Sequence, residues 1–240
     1  LIRAAVLLAA GALALLPAGR AAEAQPRGRP GPGSAQPSEI VAAELAFARL
    51  AREKGQWTAF RETAEKDAIM FVPGVVNARA WLKQQADPAE AVSWRPHRVF
   101  MACDGSYAAS TGPWTRPDGT QGSFTTIWRR QQKGGYRWIL DFGSATIVVP
   151  DAEEAIEGRV ADCRPRGEPG PAGAGGDRKA RALAGRIADP PPASGSGRSD
   201  DGTLRWSWRA EGSTRNVAVV MDYRGAALEV IREAAPLSPP

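Results

Sequence analysis

The chain has 240 residues and a formal net charge of +5, with 20 Pro, 26 Gly, two Cys and a single His. Arg supplies 26 of the 31 basic residues, scattered rather than interleaved with aromatics, so the high sequence pI of about 9.6 does not argue for a nucleic-acid partner. Two cysteines and one histidine argue against a structural zinc site. The chain also lacks a Gly-x-Ser-x-Gly elbow, a nucleotide fingerprint and a metal-ligand cluster, so neither metal nor cofactor is expected.

Residues 1–24 read as a secretory signal peptide. Arg3 gives the positive start, Ala4 to Leu16 the uncharged apolar run, Pro17 and Gly19 the break, and Ala22-Glu23-Ala24 a small-x-small site with cleavage after Ala24. The run is short for a bilayer anchor; an uncleaved anchor is the alternative. The expectation is a periplasmic or secreted protein without an integral membrane span after processing, its charge reduced to +4 by loss of Arg3, Arg20 and Glu23. Residues 25–37 are Pro, Gly and polar, a flexible spacer.

Ser38 is placed to cap a helix, with Glu39 in its first turn. Ile40, Ala43, Phe47 and Leu50, flanked by Val41, Leu45 and Ala48, form its apolar stripe, with Glu44, Arg49, Arg52 and Glu53 largely outside it, and Gly55 stops it. Trp57, Phe60 and Ala64 share one side of a second short helix. Ala68 to Val72 reads as a short strand ended by Pro73-Gly74, and Asn77 as the cap of a third helix with Trp81 and Leu82. Four strands come next: Ser93 to Cys103 (interrupted by Pro96), Tyr107 to Thr115, Gln121 to Gln131, and Tyr136 to Val149, with turns at Asp104-Gly105, Pro117-Asp118-Gly119 and Lys133-Gly134-Gly135. Helices succeeded by a meander predict an α+β domain over 38–150, with helices packed on one face of a curved antiparallel sheet.

Asp151 and Glu154 resemble a capping box opening a brief acidic helix, and 164–202 reads as a Pro/Gly-rich linker; together 151–203 separate the first domain from the C-terminal strands. Leu204, Trp206 and Trp208 alternate with polar residues, and Val217 to Tyr223 and Ala227 to Ile231 suggest further strands. Residues 204–235 thus form a small β extension expected to dock on the first domain. Cys103 and Cys163 either pair in an oxidising compartment or remain a buried thiol and a free one.

Several ordered pieces carry a resemblance: the Phe47 helix, Gly55 to Phe60, Asp67-Ala-Ile-Met-Phe71, Pro73-Gly-Val-Val-Asn77, Arg79-Ala-Trp81, Asp104-Gly105, Thr111-Gly-Pro-Trp114, Ile127-Trp-Arg-Arg130 and Tyr136-Arg-Trp-Ile-Leu-Asp141. In this order they resemble the SnoaL-like group of the nuclear transport factor 2-like superfamily, and within it the exported, DUF4440-like proteins of unknown function. The resemblance implies a cone, a bent sheet wrapped around helices with a pocket between, and homodimerisation through the outer sheet face. It fixes no activity, because such cones host isomerases, cyclases, dehydratases and plain binders.

A proton-transfer enzyme in this cone needs a carboxylate base and donors where negative charge develops. The candidates are Asp141, Asp67, Tyr107 and His97. His97 reads as a solvated strand-end residue and Asp67 equally as a turn cap. Asp141 is a base only if it faces inward, which strand parity alone does not decide, since bulges are common in bent sheets. Trp57, Phe71, Trp94, Trp114, Trp128 and Trp138, with hydroxyls from Thr111 and Thr125, either line an apolar ligand pocket or form core. The leading expectation is an exported domain that binds a small apolar or amphipathic molecule without catalysis. The alternatives are an isomerase, cyclase or lyase using an Asp base, and an envelope interaction module using the C-terminal Trp-rich strands.

Overall fold

The computed structural model describes residues 35–72, 74–145, 155–163 and 193–237. The signal peptide and nearly all of the spacer, Pro73, the acidic helix expected at Asp151 and Glu154, and residues 164–192 of the expected linker lie outside the described residues.

Helix α1 spans Pro37–Lys54. It starts one residue before the expected cap because Pro37, with its fixed φ and missing N–H, suits the first helical position; Gln36 is the flanking residue and Ser38 caps nothing. The face toward the sheet is Ile40, Glu44, Phe47, Ala48 and Ala51. Glu44 is therefore inside the apolar stripe, four residues after Ile40 and three before Phe47, while Leu45 is exposed. After Gly55, α2 runs Gln56–Thr63, strand β1 Ala64–Phe71, β2 Val75–Asn77 and α3 Ala78–Leu82, where Asn77 Oδ1 accepts the Ala80 N–H at 2.9 Å as the sequence predicts. None of these helices is long and apolar enough to cross a membrane.

The strands β3 (Ser93–Trp94), β4 (Arg98–Met101), β5 (Tyr107–Thr115), β6 (Gln121–Arg130) and β7 (Tyr136–Ser144) come next, with Pro96 in the gap between β3 and β4. Together with β8 (Glu157–Val160) they form an eight-stranded sheet in the order β2-β1-β7-β6-β5-β4-β8, with β3 beside β5. The sheet is mixed rather than antiparallel throughout, because β1 lies parallel to β7 and β8 parallel to β4. Four further strands, β9 (Ser194–Arg198), β10 (Leu204–Glu211), β11 (Thr214–Tyr223) and β12 (Ala226–Pro236), make a separate antiparallel sheet in the order β12-β11-β10-β9.

The presence of β9 in a Gly/Ser stretch has a steric reason. Gly195 and Gly197 pair with Trp208 and Trp206, and a Cβ at either glycine would come within 2.6 Å and 2.3 Å of the partner indole. The glycines are seats for the two rings, and their composition imitates a linker.

Two cores lie on opposite faces of the large sheet. On one face the helices bury Ile40, Phe47, Ala51 and Ala59 against Val99, Met101, Ala108, Trp128 and Trp138. On the other face Phe100, Tyr107, Ile127, Leu140 and Phe142 meet Leu204, Trp206, Trp208, Val217, Val219 and Met221 of the second sheet. The outer face, through which the family resemblance implies pairing of two chains, is thus covered by the chain's own C-terminal sheet. The Trp-rich strands expected as an interaction surface spend Trp206 and Trp208 in this interior.

Cys103 and Cys163 form a disulfide with a Cα–Cα distance of 5.2 Å and a sequence separation of 60. It ties the β4–β5 turn to the segment leaving β8. Replacing both cysteines by Ser should lower unfolding stability by about 4 kcal/mol on the loop-entropy relation, measured by urea titration of the oxidised protein and the double variant. A change below about 1 kcal/mol would show that the bond constrains little.

Candidate functional site

Strand β6 alternates without interruption: Phe124, Thr126 and Trp128 turn toward the helices, Thr125 and Ile127 toward the second sheet. Strand β7 does not. Thr126 pairs with Asp141 and Ile127 with Leu140, yet Trp128 pairs with Trp138, leaving Ile139 as a one-residue bulge. Without it, Trp138 on the helix side would put Asp141 on the far side. With it, Trp138, Asp141 and Gly143 share the helix-side face, and Ile139, Leu140 and Phe142 pack outward.

Asp141 opens into a cavity of about 540 Å³ between the helices, the sheet and the edge of the second sheet. The lining is aromatic: Phe47, Trp57 and Phe60 from α1 and α2, Trp94 and Trp114 from β3 and β5, and Phe71 and Phe124 from β1 and β6. The rings hold one another edge to face, with centroids 4.8 Å apart for Phe47 and Trp94, 4.7 Å for Phe47 and Phe60, and 5.5 Å for Trp57 and Phe60. Asp141 Oδ2 accepts the Thr126 hydroxyl at 3.0 Å. Burial pushes its pKa up to about 7, and the negative charges of Glu44 and Glu233 act in the same direction, against the Thr126 hydrogen bond.

Two cations stand near the mouth. The Arg215 guanidinium reaches across from β11 and donates to the carbonyls of Phe71 at 3.0 Å and Gly143 at 2.9 Å, lying over the rings of Phe71 and Phe142. Burial lowers its pKa. Arg116, exposed at the start of the β5–β6 turn, lies 5.1 Å over Trp114.

Glu44 is the residue that the sequence pattern missed. It is fully buried beside the cavity and accepts hydrogen bonds from Ser110 Oγ at 2.5 Å, Trp128 Nε1 at 3.1 Å and Trp94 Nε1 at 3.1 Å. Burial raises its pKa, partly offset by those three donors. Its work is positional, since it fixes the plane of Trp94, which lines the cavity. Its helical spacing is a usable signal: a Glu at the centre of an apolar i, i+4, i+7 row must find donors in the opposing layer.

The remaining candidates divide between the cavity and other places. Trp57, Phe71, Trp94 and Trp114 line the cavity, whereas Trp128 and Trp138 are core, Trp138 donating to Thr63 Oγ1 at 3.0 Å. Thr111 and Thr125 face the second sheet and donate to Glu233 Oε1 at 3.0 and 2.9 Å. Burial raises the Glu233 pKa despite these hydroxyls. Tyr107 stacks on Trp206 at 5.0 Å on the outer face, away from Asp141. His97 is buried rather than solvated, because β8 covers this edge: the His97 N–H donates to Thr111 O, and its carbonyl accepts from Glu157 N, both at 2.8 Å. Asp67 is half-buried on β1, where pairing with β7 shifts register, and does not line the cavity. Among the described residues no three His, Cys, Asp or Glu gather as metal ligands.

The raised pKa of Asp141 makes the fold pH-sensitive in a definite sense. Below about pH 4 the group is neutral in both folded and unfolded chains; between about 4 and 7 only the unfolded chain ionises, so stability falls, and above 7 the loss is complete. Asp141→Asn should therefore raise stability at pH 8 by about 2 kcal/mol, less than the full linkage value because the amide is itself a buried polar group. Urea titrations of both proteins at pH 4 and pH 8 check this; an Asn variant that is less stable at pH 8 contradicts it.

No protein-family model and no curated protein matches the chain. Among solved structures, one similar chain is a proposed ketosteroid isomerase from Parabacteroides distasonis, with 20% identity and a TM-score of 0.37 over 44% of this chain and 86% of the other. Another is a nuclear transport factor 2-like protein of unknown function from Mesorhizobium loti, with 15% identity and a TM-score of 0.30 over 45% of this chain and 92% of the other.

Proposed function

We propose that this chain is an exported, SnoaL-like protein that holds a small apolar or amphipathic molecule in the cavity at Asp141 without transforming it. The observation that carries the reading is the aromatic lining of a cavity of about 540 Å³ around one carboxylate, the composition of sites that take small organic ligands. Export is supported by the N-terminal leader pattern and by the Cys103–Cys163 bond, which suits an oxidising compartment. With the outer sheet face already covered, a monomer accounts for the assembly better than the implied homodimer.

A second reading, an isomerase, cyclase or lyase with Asp141 as base, is favoured by a carboxylate that exchanges its proton near neutrality. Binding is the better account because the donors nearest Asp141 and the ring N–H groups of Trp94 and Trp114 are already committed. Trp94 serves Glu44, Trp114 serves the Ser123 carbonyl at 2.8 Å, Thr126 serves Asp141, and Arg215 serves two backbone carbonyls. Stabilising a developing oxyanion needs donors aimed at it. The hydroxyl and imidazole suggested as partners, Tyr107 and His97, lie outside the cavity.

Native mass spectrometry of protein purified from the exported fraction, then a library screen read through tryptophan fluorescence, tests the binding reading. The expected result is a retained organic molecule, or library hits that quench emission through Trp57, Trp94 and Trp114. Turnover of a hit that disappears in Asp141→Asn, with the fold intact, would replace binding by catalysis.

A further inference from the structure

We propose that the cavity selects an organic cation, a substituted ammonium group directed at Asp141 and boxed by the surrounding rings. The inference deepens the binding reading above and rests on it.

Among the described residues the cavity lining holds one carboxylate, Asp141, and two arginines whose guanidiniums are engaged elsewhere. The charges acting on Asp141, Glu44 and Glu233, are negative. An anionic group placed beside Asp141 would meet like charge. A neutral apolar ligand would strip water from the carboxylate and return only dispersion contacts, leaving a desolvated charge or forcing it to take a proton. A cation compensates the carboxylate directly.

The walls have the same preference. Seven rings line the cavity, and aromatic faces carry a negative quadrupole that attracts cations, most strongly once they are desolvated. Protein cations do not satisfy Asp141 from within. Arg215 shares the lining, but its two terminal nitrogens bond the carbonyls of Phe71 and Gly143, and Arg116 is held at the mouth over Trp114. These arginines also orient the guest: the ammonium end goes inward, and the end left at the mouth is neutral or acidic.

The test compares benzyltrimethylammonium with neopentylbenzene, which replaces the charged nitrogen by carbon at the same shape, on the full chain at pH 8 by tryptophan fluorescence and calorimetry. The cation should bind about thirtyfold more tightly, and Asp141→Asn, checked for fold by near-UV circular dichroism, should remove most of the difference. The ratio on the unaltered chain stands whether or not the variant folds. Equal or tighter binding of the neutral compound overturns the cation proposal and leaves a general apolar binder. A preference that Asp141→Asn leaves undiminished also overturns it. Binding of neither compound sinks this proposal together with the binding reading.

Discussion

Between Trp138 and Leu140 the strand β7 carries one residue more than its partner β6, and the surplus Ile139 resets the alternation of everything after it. Trp138 and Asp141, three residues apart, share a face that an unbroken strand would deny one of them. The aromatic cavity would exist without this bulge, but its carboxylate would not. Thr126 sits directly across from Asp141 and supplies the hydroxyl that orients it.

The large sheet separates two interiors of different character, and each holds a glutamate whose carboxyl group is largely buried. Glu44 enters from the helix side and is held by two indoles and a serine. Glu233 enters from the second sheet and is held by two threonines. Adjacent residues of one strand serve both sides: Thr125 bonds Glu233, and Thr126 bonds Asp141. Burial works against the ionised form of all three groups, and Glu44 and Glu233 both push the cavity acid toward its neutral form.

Much of the layout is legible in the sequence. Tyr107 to Thr115 is a strand from end to end, and Asn77 caps the third helix by its side chain. Four of the eight residues suggested for a pocket do line it. The misses have local causes. Trp128 and Trp138 look like pocket rings by type, yet lie deeper than the cavity. Thr111 and Thr125 face outward by strict alternation, toward a layer whose position the chain does not announce. His97 looks solvated in the sequence because β8, which covers it, is a four-residue strand of mixed composition that joins by parallel pairing from far along the chain. The glycines of β9 conceal a strand because they exist to admit Trp206 and Trp208.

Arg215 grips carbonyls on both β1 and β7 from a strand of the other sheet, and so joins two layers at the rim of the cavity. The C-terminal layer is therefore not a detachable accessory. Its side chains, with Ala235 and Pro236, finish the doorway by which a guest would enter, and the two layers cannot part without leaving that doorway half built.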